Sequence, residues 1–386
     1  MAGSRESRRE YNFSTGMPNP ETFPTAALAA AAQRVLLREG TSLVRYPEQK
    51  GYAPLREIAA ERFERNHRQR PPLEHIVLTA GSMQALILAT QALSERGETV
   101  VVEEHCYSGT LGLLRQYGRR VEGVPLDEHG LRIEALEAKL ERLRREGCKV
   151  GFVYTIATHQ NPTGTILPVE RRRELLEVCR RHSVPVVEDD CYADVVFEGT
   201  MPPAIYTLAE PGEVVYVGSF SKILGPGVRL GYFIAPEPLN ARLVAYKRDG
   251  GANALASMIV AEYLKEHLWP HIAEVCDSVR RRRDRLFAAL AQELGSLVEW
   301  SRPRGGLFTW VRLPDGVDTQ ALAALARERG LLYGLGRSFD AADRDIGYLR
   351  LAFGYIAEDL IAEGVAALGE CLEGAAPGAR RAPAVR

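Results

Sequence analysis

Only six of the 49 basic residues are lysines, at positions 50, 139, 149, 222, 247 and 265. A lysine in an unusual setting therefore stands out against a background of arginine. The 50 acidic residues bring the net charge to −1, which excludes the broad basic field on which nucleic-acid binding rests. The six cysteines contain no C-x-x-C pair, so neither a disulfide framework nor a zinc site is expected, and no metal is assigned. No apolar run approaches the ~18 residues of a membrane span, and the polar stretch Ser4–Glu10 is no signal peptide. A dinucleotide-binding oxidoreductase is excluded as well, because no G-x-G-x-x-G follows the first strand. What remains is a chain of 386 residues, long enough for two or more domains. The expectation is a cytoplasmic, soluble, multi-domain protein.

Short apolar runs alternate with amphipathic helices from residue 76 onward. Ile76–Leu78, Thr99–Val102, Arg120–Val124, Val150–Tyr154, Val184–Glu188, Val214–Val217 and Arg229–Ile234 read as strands. Ser82–Ser94, Leu111–Tyr117, Arg132–Glu146 and Pro168–Arg181 read as helices, as do Thr25–Glu39 and Pro54–Asn66 ahead of the sheet. Near-continuous Val/Ile strands between helices predict an α/β fold with a mostly parallel, seven-stranded sheet covered on both faces. Ligands of such sheets bind beyond the carboxyl ends of the strands, so the residues after each strand are the candidates for chemistry. Beyond residue 237 the pattern is helical, and the run Arg280–Arg283 reads as a solvated face. Val298–Trp300, Leu307–Leu313, Leu331–Leu335 and Tyr348–Ala352 then give a second, smaller α/β unit. The expected division is an N-terminal arm and small-domain segment over 1–41, a large domain over 42–280, a small domain over 281–373 and a disordered tail over 374–386. The first ten residues read as loose chain.

Lys222 is the lysine in the unusual setting. It follows a strand and two hydroxyl residues in Val217-Gly-Ser219-Phe-Ser221-Lys222, with Arg229 seven positions on. A crowded pocket strips an ammonium of hydration and lowers its pKa, which suits Schiff-base chemistry; a surface lysine in a Gly-Pro-Gly loop explains the segment equally well. Thr79-Ala-Gly81-Ser82-Met83 follows the first strand and opens a helix. It reads as a phosphate cradle of free N–H groups or as a plain capping turn. Glu188-Asp189-Asp190-Cys191-Tyr192 places adjacent carboxylates at a strand end. They suit a cationic ring better than a metal, since no histidine stands at ligand spacing. Asn161-Pro162-Thr163-Gly164 alone reads as a turn, and Tyr107 as core or as a stacking platform.

Taken in order, the Gly81-Ser82 turn, Tyr107, Asn161-Pro-Thr-Gly, Asp189-x-x-Tyr192, Ser219-x-Ser221-Lys222 and Arg229 resemble the fold-type-I pyridoxal-phosphate enzymes of the class I/II aminotransferase family. The likeness is greatest to the branch with 2-aminoadipate and kynurenine aminotransferases. It runs from about Asn12 to Cys371 and takes in Phe13-Ser-Thr-Gly-Met-Pro and Arg45-Tyr46-Pro47. The resemblance implies that Lys222 holds pyridoxal 5′-phosphate as an internal aldimine and then moves the substrate proton. It implies further that Asp189 pairs with the ring nitrogen, that Asn161 and Tyr192 bond the phenolic oxygen, and that Tyr107 stacks on the ring. The phosphate falls to Ser82, Met83, Ser219, Ser221 and Arg229, with Tyr46 reaching over from the neighbouring subunit of a homodimer. Arg350, in Tyr348-Leu349-Arg350-Leu351, takes the place of the clamp on the substrate α-carboxylate, and Gly16 lets the arm pass close to the substrate.

The sequence departs from the family at Thr15, where glycine is usual, and at Cys191 and Leu335, where proline is usual. Thr15 narrows the contact of the arm with the substrate. Arg337 and His159 are candidates for an acidic or phosphorylated substrate side chain, and both also fit solvated loops. The reaction implied is transfer of an amino group from an L-α-amino acid to a 2-oxo acid. The same scaffold also serves elimination, replacement and carbon–carbon bond formation. A ligand-sensing regulator is not expected, because only about ten residues precede the matched region.

Overall fold

A computed structural model describes residues 9–375; the looseness expected of residues 1–8 and the disorder expected of 376–386 lie outside the described residues. Residues 374 and 375, assigned to the tail, instead close the last helix, Ile361–Ala375. That helix is held to its end because Ile361, Val365, Leu368, Leu372 and Ala375 recur at helical spacing and are all buried.

All seven expected strands join one sheet. They are β1 (Ile76–Thr79), β2 (Thr99–Glu103), β3 (Arg120–Val124), β4 (Val150–Thr155), β5 (Val186–Asp189), β6 (Val214–Ser219) and β7 (Gly231–Ile234). Their order is β1-β7-β6-β5-β4-β2-β3. β7 is antiparallel to both neighbours and every other pairing is parallel. The carboxyl ends of the parallel strands and the amino end of β7 therefore share one edge. All but the half-exposed edge strand β3 are buried on both faces, as the Val-rich runs of β2 and β6 require. A typical cover is the helix Ile133–Arg145, which buries Ile133, Leu136, Leu140 and Leu143 and turns its arginines outward.

The second unit is an antiparallel sheet of β8 (Glu299–Trp300), β9 (Phe308–Arg312), β10 (Gly334–Leu335) and β11 (Tyr348–Ala352), in the order β8-β9-β11-β10. The run read as one strand, Leu331–Leu335, is split. Leu331–Leu332 pairs in parallel with Tyr11–Asn12 of the arm, while Gly334–Leu335 pairs with β11. This pairing, continued by Ala352 N–H donating to the Phe13 carbonyl at 2.7 Å, carries the arm across the second unit. A small hairpin, Leu126–Asp127 with Gly130–Leu131, was not expected; strands of two residues are too short to show alternation.

Between the sheets runs one helix of 41 residues, Ala254–Leu294. Residue 280 lies inside it, so the passage from the first unit to the second is helical. The run Arg280–Arg283 needs correction as a solvated face. Arg282 and Arg283 are buried, Arg282 donating to the Ile356 and Ser278 carbonyls and Arg283 to that of Pro303. Successive helical residues turn by ~100°, so four in a row cannot all face water on a helix packed along its length. No helix among the described residues is long and apolar enough to cross a membrane.

Candidate active site

The shared sheet edge carries the anion-binding groups. After β1, Gly81 at φ 81° turns the chain into the helix Ser82–Leu93, so the N–H groups of Ser82 and Met83 belong to a first turn without intrahelical partners. The approach is close enough to require glycine at residue 231: a Cβ there would stand 2.6 Å from Ser82 N. Arg229, just ahead of β7, donates from Nη2 to the Ala80 carbonyl at 2.6 Å and lies over Gly81. Ser219 ends β6, and its Oγ accepts from the Ser221 N–H at 3.0 Å. A helix N-terminus, a guanidinium and serine hydroxyls form a donor set for a dianion.

Asp189 ends β5 and is buried. Its Oδ2 accepts from Tyr154 Oη at 2.8 Å and its Oδ1 from Cys191 Sγ at 2.9 Å. Burial pushes its carboxyl above the usual value, while the bonds from Cys191 and Tyr154 oppose the rise. Tyr107 caps the helix Ser108–Gln116; burial, and then the charge of Asp189, raise its phenol.

Lys222, Tyr192, Asn161, Arg350 and the arm form one continuous cluster. Lys222 Nζ donates to the Gly16 carbonyl at 2.7 Å and lies 5.5 Å from the centre of the Tyr192 ring. Asn161 donates from Nδ2 to Tyr192 Oη at 3.3 Å and accepts from Arg350 Nη1 at 3.0 Å. Arg350 Nη2 donates to the Ser14 carbonyl at 2.6 Å, and its Nε is buried with no hydrogen-bond partner among the described residues. Desolvation lowers the Lys222 ammonium from its usual value; the negative forms of Cys191 and Asp189 oppose this and the Arg350 charge adds to it. Gly16 is dictated by crowding, since a Cβ there would meet Phe308 Cζ at 2.6 Å.

Tyr46 and Arg337 lie apart from the cluster, while Thr15 belongs to the arm and bonds within it. Tyr46 is 90% exposed beside Val44 at 86%. The guanidinium of Arg337 is engaged by Asp343, with bonds of 2.9 and 3.1 Å on the exposed surface. Thr15 turns its hydroxyl to Asn12 Oδ1 at 3.1 Å, inside the arm. His159 corrects its expectation more sharply. It is 1% exposed, packed against Gly305 and Gly306, and both ring nitrogens lack partners among the described residues. Burial lowers its pKa to about 4, so it is a neutral, buried ring in the loop after β4, neither solvated nor an anion ligand. Arg337 is bonded to Asp343 on the exposed surface and to no group of the Lys222 cluster. Arg337→Ala should therefore leave KM for an acidic amino acid within about twofold; a tenfold rise would mean that Arg337 leaves Asp343 for the substrate.

Sequence reasoning missed the residues behind the site. Tyr154 supports Asp189, and the buried Glu103 accepts from Thr155 Oγ1, the Ile156 N–H and Gln160 Nε2, which fixes the residue next to Asn161. Burial lifts Glu103 to about 7 against those bonds. Arg62, ion-paired with Asp194, donates to the Ser219 carbonyl at 2.9 Å. The one available signal was a polar residue near the end of a strand otherwise filled with aliphatics.

The family described as aminotransferase class I and II matches residues 9–368. A 2-aminoadipate transaminase of Thermus thermophilus is 36% identical over 370 residues, covering 94% of this chain and 90% of that one. An aromatic-amino-acid aminotransferase of Thermococcus litoralis is 34% identical over 362 residues, covering 93% and 87%. The crystal structure of an alpha-aminoadipate aminotransferase from Thermus thermophilus, complexed with N-(5′-phosphopyridoxyl)-L-leucine, superposes with a TM-score of 0.87 at 34% identity, covering 94% and 92%.

Proposed function

This chain belongs to the class I and II aminotransferase family, fold-type-I enzymes that work with pyridoxal phosphate, and from that premise we propose how its own residues transfer an amino group from an L-α-amino acid to a 2-oxo acid. The donor set fits the cofactor at each end. Ser82, Met83, Ser219, Ser221 and Arg229 suit its phosphate, and Asp189 its cationic ring nitrogen. Asn161 and Tyr192 suit its phenolic oxygen, Tyr107 its ring face and Lys222 its carbonyl carbon. When bound, pyridoxal phosphate supplies the group that takes up the amine and an electron sink that makes the substrate Cα proton acidic.

The observation that carries the reading is the spacing of two bonds to the arm. Arg350 holds the Ser14 carbonyl at 2.6 Å and Lys222 holds the Gly16 carbonyl at 2.7 Å. A guanidinium and an amine thus converge on points two residues apart, which suits a molecule whose carboxylate and amine share one carbon. The substrate carboxylate takes over the Arg350 bonds from Ser14 and Asn161, and Lys222, released from Gly16, removes the proton at Cα and returns it on the product side. Buried aromatic residues keep the amine poorly hydrated, which favours its neutral, proton-accepting form and lets it act as the base.

The deciding experiment is an absorbance titration of the purified protein with single L-amino acids. Loss of the visible cofactor band together with release of the matching 2-oxo acid supports transfer. A band that persists while 2-oxo acid and ammonia are released together removes the reading in favour of elimination, and a band that persists without 2-oxo acid removes it in favour of bond formation.

A homodimer with shared sites is part of the proposal. Leu37, Val44 and Tyr46 are 82, 86 and 90% exposed near one another in the chain, an apolar group of the kind that marks an interface. Tyr46 is then placed to reach the phosphate of the partner. Inactive Lys222→Ala and weakened Tyr46→Ala chains, mixed in equal amounts and allowed to exchange, should regain about a quarter of wild-type activity, since half the dimers are mixed and each has one intact site. No gain over the separate variants would remove Tyr46 from the shared site. The six cysteines, all free, support a cytoplasmic location, and the proposed transfer between amino and 2-oxo acids is a reaction of amino-acid metabolism.

A further inference from the structure

The thiol of Cys191 lies 2.9 Å from Asp189 Oδ1, a contact for which the proposed transfer has no use. The other oxygen of the same carboxylate is held by Tyr154 at 2.8 Å, so both oxygens of Asp189 receive a donor from the protein itself. The Ser82 side chain, at the start of the helix Ser82–Leu93, is close enough to act on the same thiol. The thiol thus sits near both the end of β5, which carries the carboxylate, and that helix N-terminus.

A hydrogen bond to the charged form of a carboxylate stabilises that form and makes it a weaker base. We propose that Cys191 is a positioning residue: its S–H donates to Asp189 Oδ1 and keeps that carboxylate a weak enough base to leave the proton on the ring nitrogen of pyridoxal phosphate. This rests on the role proposed above for Asp189. The environment keeps the thiol in the donating form, since burial and the nearby Asp189 charge push its pKa well above that of a free thiol. With the thiol present, Asp189 stays ionised in a buried place yet divides its lone pairs between the ring and the protein. Without it, the buried carboxylate becomes a stronger base and draws that proton from the ring nitrogen toward Oδ1.

Two readouts on the full-length holoenzyme test this. The first is the infrared S–H stretch of Cys191, isolated from the other five cysteines by subtracting the spectrum of Cys191→Ser. The band should lie at lower frequency than that of a free thiol and move back up in Asp189→Asn, where the acceptor is neutral. The second is the 15N resonance of cofactor labelled at its ring nitrogen. Cys191→Ala should shift it toward the unprotonated ring, and Cys191→Ser, which keeps a donor, should leave it close to wild type. A band at the free-thiol position, or a ring-nitrogen resonance unmoved in Cys191→Ala, overturns the proposal. Those failures, in a wild-type protein that binds the cofactor and releases 2-oxo acid, count against Cys191 alone; absence of binding or release counts against the function itself.

Discussion

Lys222→Ala should abolish amino-group transfer, with kcat reduced at least ~10⁴-fold, the upper range for loss of a single positioned acid–base group. The size of the effect follows from how little else nearby can replace the amine. Asp189 is engaged by Tyr154 and Cys191, while Tyr192 and Tyr107 hold their protons because burial raises both phenols. Arg350, pushed by burial to about 10, still keeps its proton at neutral pH. Folding should survive, since removing a desolvated amine costs only its single bond to the Gly16 carbonyl. A small primary amine added to Lys222→Ala should restore part of the rate, which a collapsed site would not permit. Activity within tenfold of wild type would show that another group moves the proton. The pH profile carries the same assignment. Because desolvation and the Arg350 charge lower the Lys222 pKa, the base-dependent limb of kcat, which reports the substrate complex, should lie below the usual lysine range. Activity should rise as pH increases through it. Removing the Arg350 charge should move that limb to higher pH.

The division of the site into what the sequence disclosed and what it withheld follows the range of the interactions. The sheet was legible because each strand is a local run of aliphatics, and Lys222 because lysine is scarce and this one follows a strand end. The Gly81-Ser82 turn was legible as a strand, a glycine and a helix start close together in the chain. The supporting contacts were not. Tyr154 meets Asp189 across 35 positions, Thr155 meets Glu103 across 52 and Arg62 meets the Ser219 carbonyl across 157. No local pattern marks a polar side chain that becomes a partner only when the sheet assembles. His159 and Arg282 failed for the converse reason. Both are polar and were read as solvated, yet each is covered by chain from the second unit: Gly305 and Gly306 over the imidazole, and the Ile356 carbonyl on the guanidinium. Arg282 is matched by acceptors; His159 is accommodated by losing its charge.

Arg350→Ala should raise KM for an L-α-amino acid at least ~10²-fold, in keeping with the roughly 2–5 kcal/mol lost when one partner of a buried charged pair is removed. The guanidinium lies between two rings, 4.2 Å from the centre of Phe308 and 4.6 Å from that of Phe339. That sandwich fixes its plane, and its Nη1 and Nη2 already hold the Asn161 and Ser14 oxygens at 3.0 and 2.6 Å. A carboxylate replaces two neutral acceptors with a charged, planar one and offers the buried Nε its first partner. Arg350→Lys should recover little of the loss, because an ammonium keeps the charge without the planar fork or the stacking. The comparison that separates binding from structure is an amine lacking the carboxylate, used beside the corresponding amino acid. Wild type should prefer the amino acid by the factor that Arg350→Ala removes, while the slow reaction of the amine should be the same in both proteins. An equal fall for both substrates would instead mean that Arg350 matters through Asn161 and the arm, and that the carboxylate is bound by another group. Since Arg350 also lowers the Lys222 pKa, substrate charge at the clamp should be felt at the base. A bound carboxylate offsets the guanidinium charge and raises the amine's affinity for a proton at the point where it must take one from Cα.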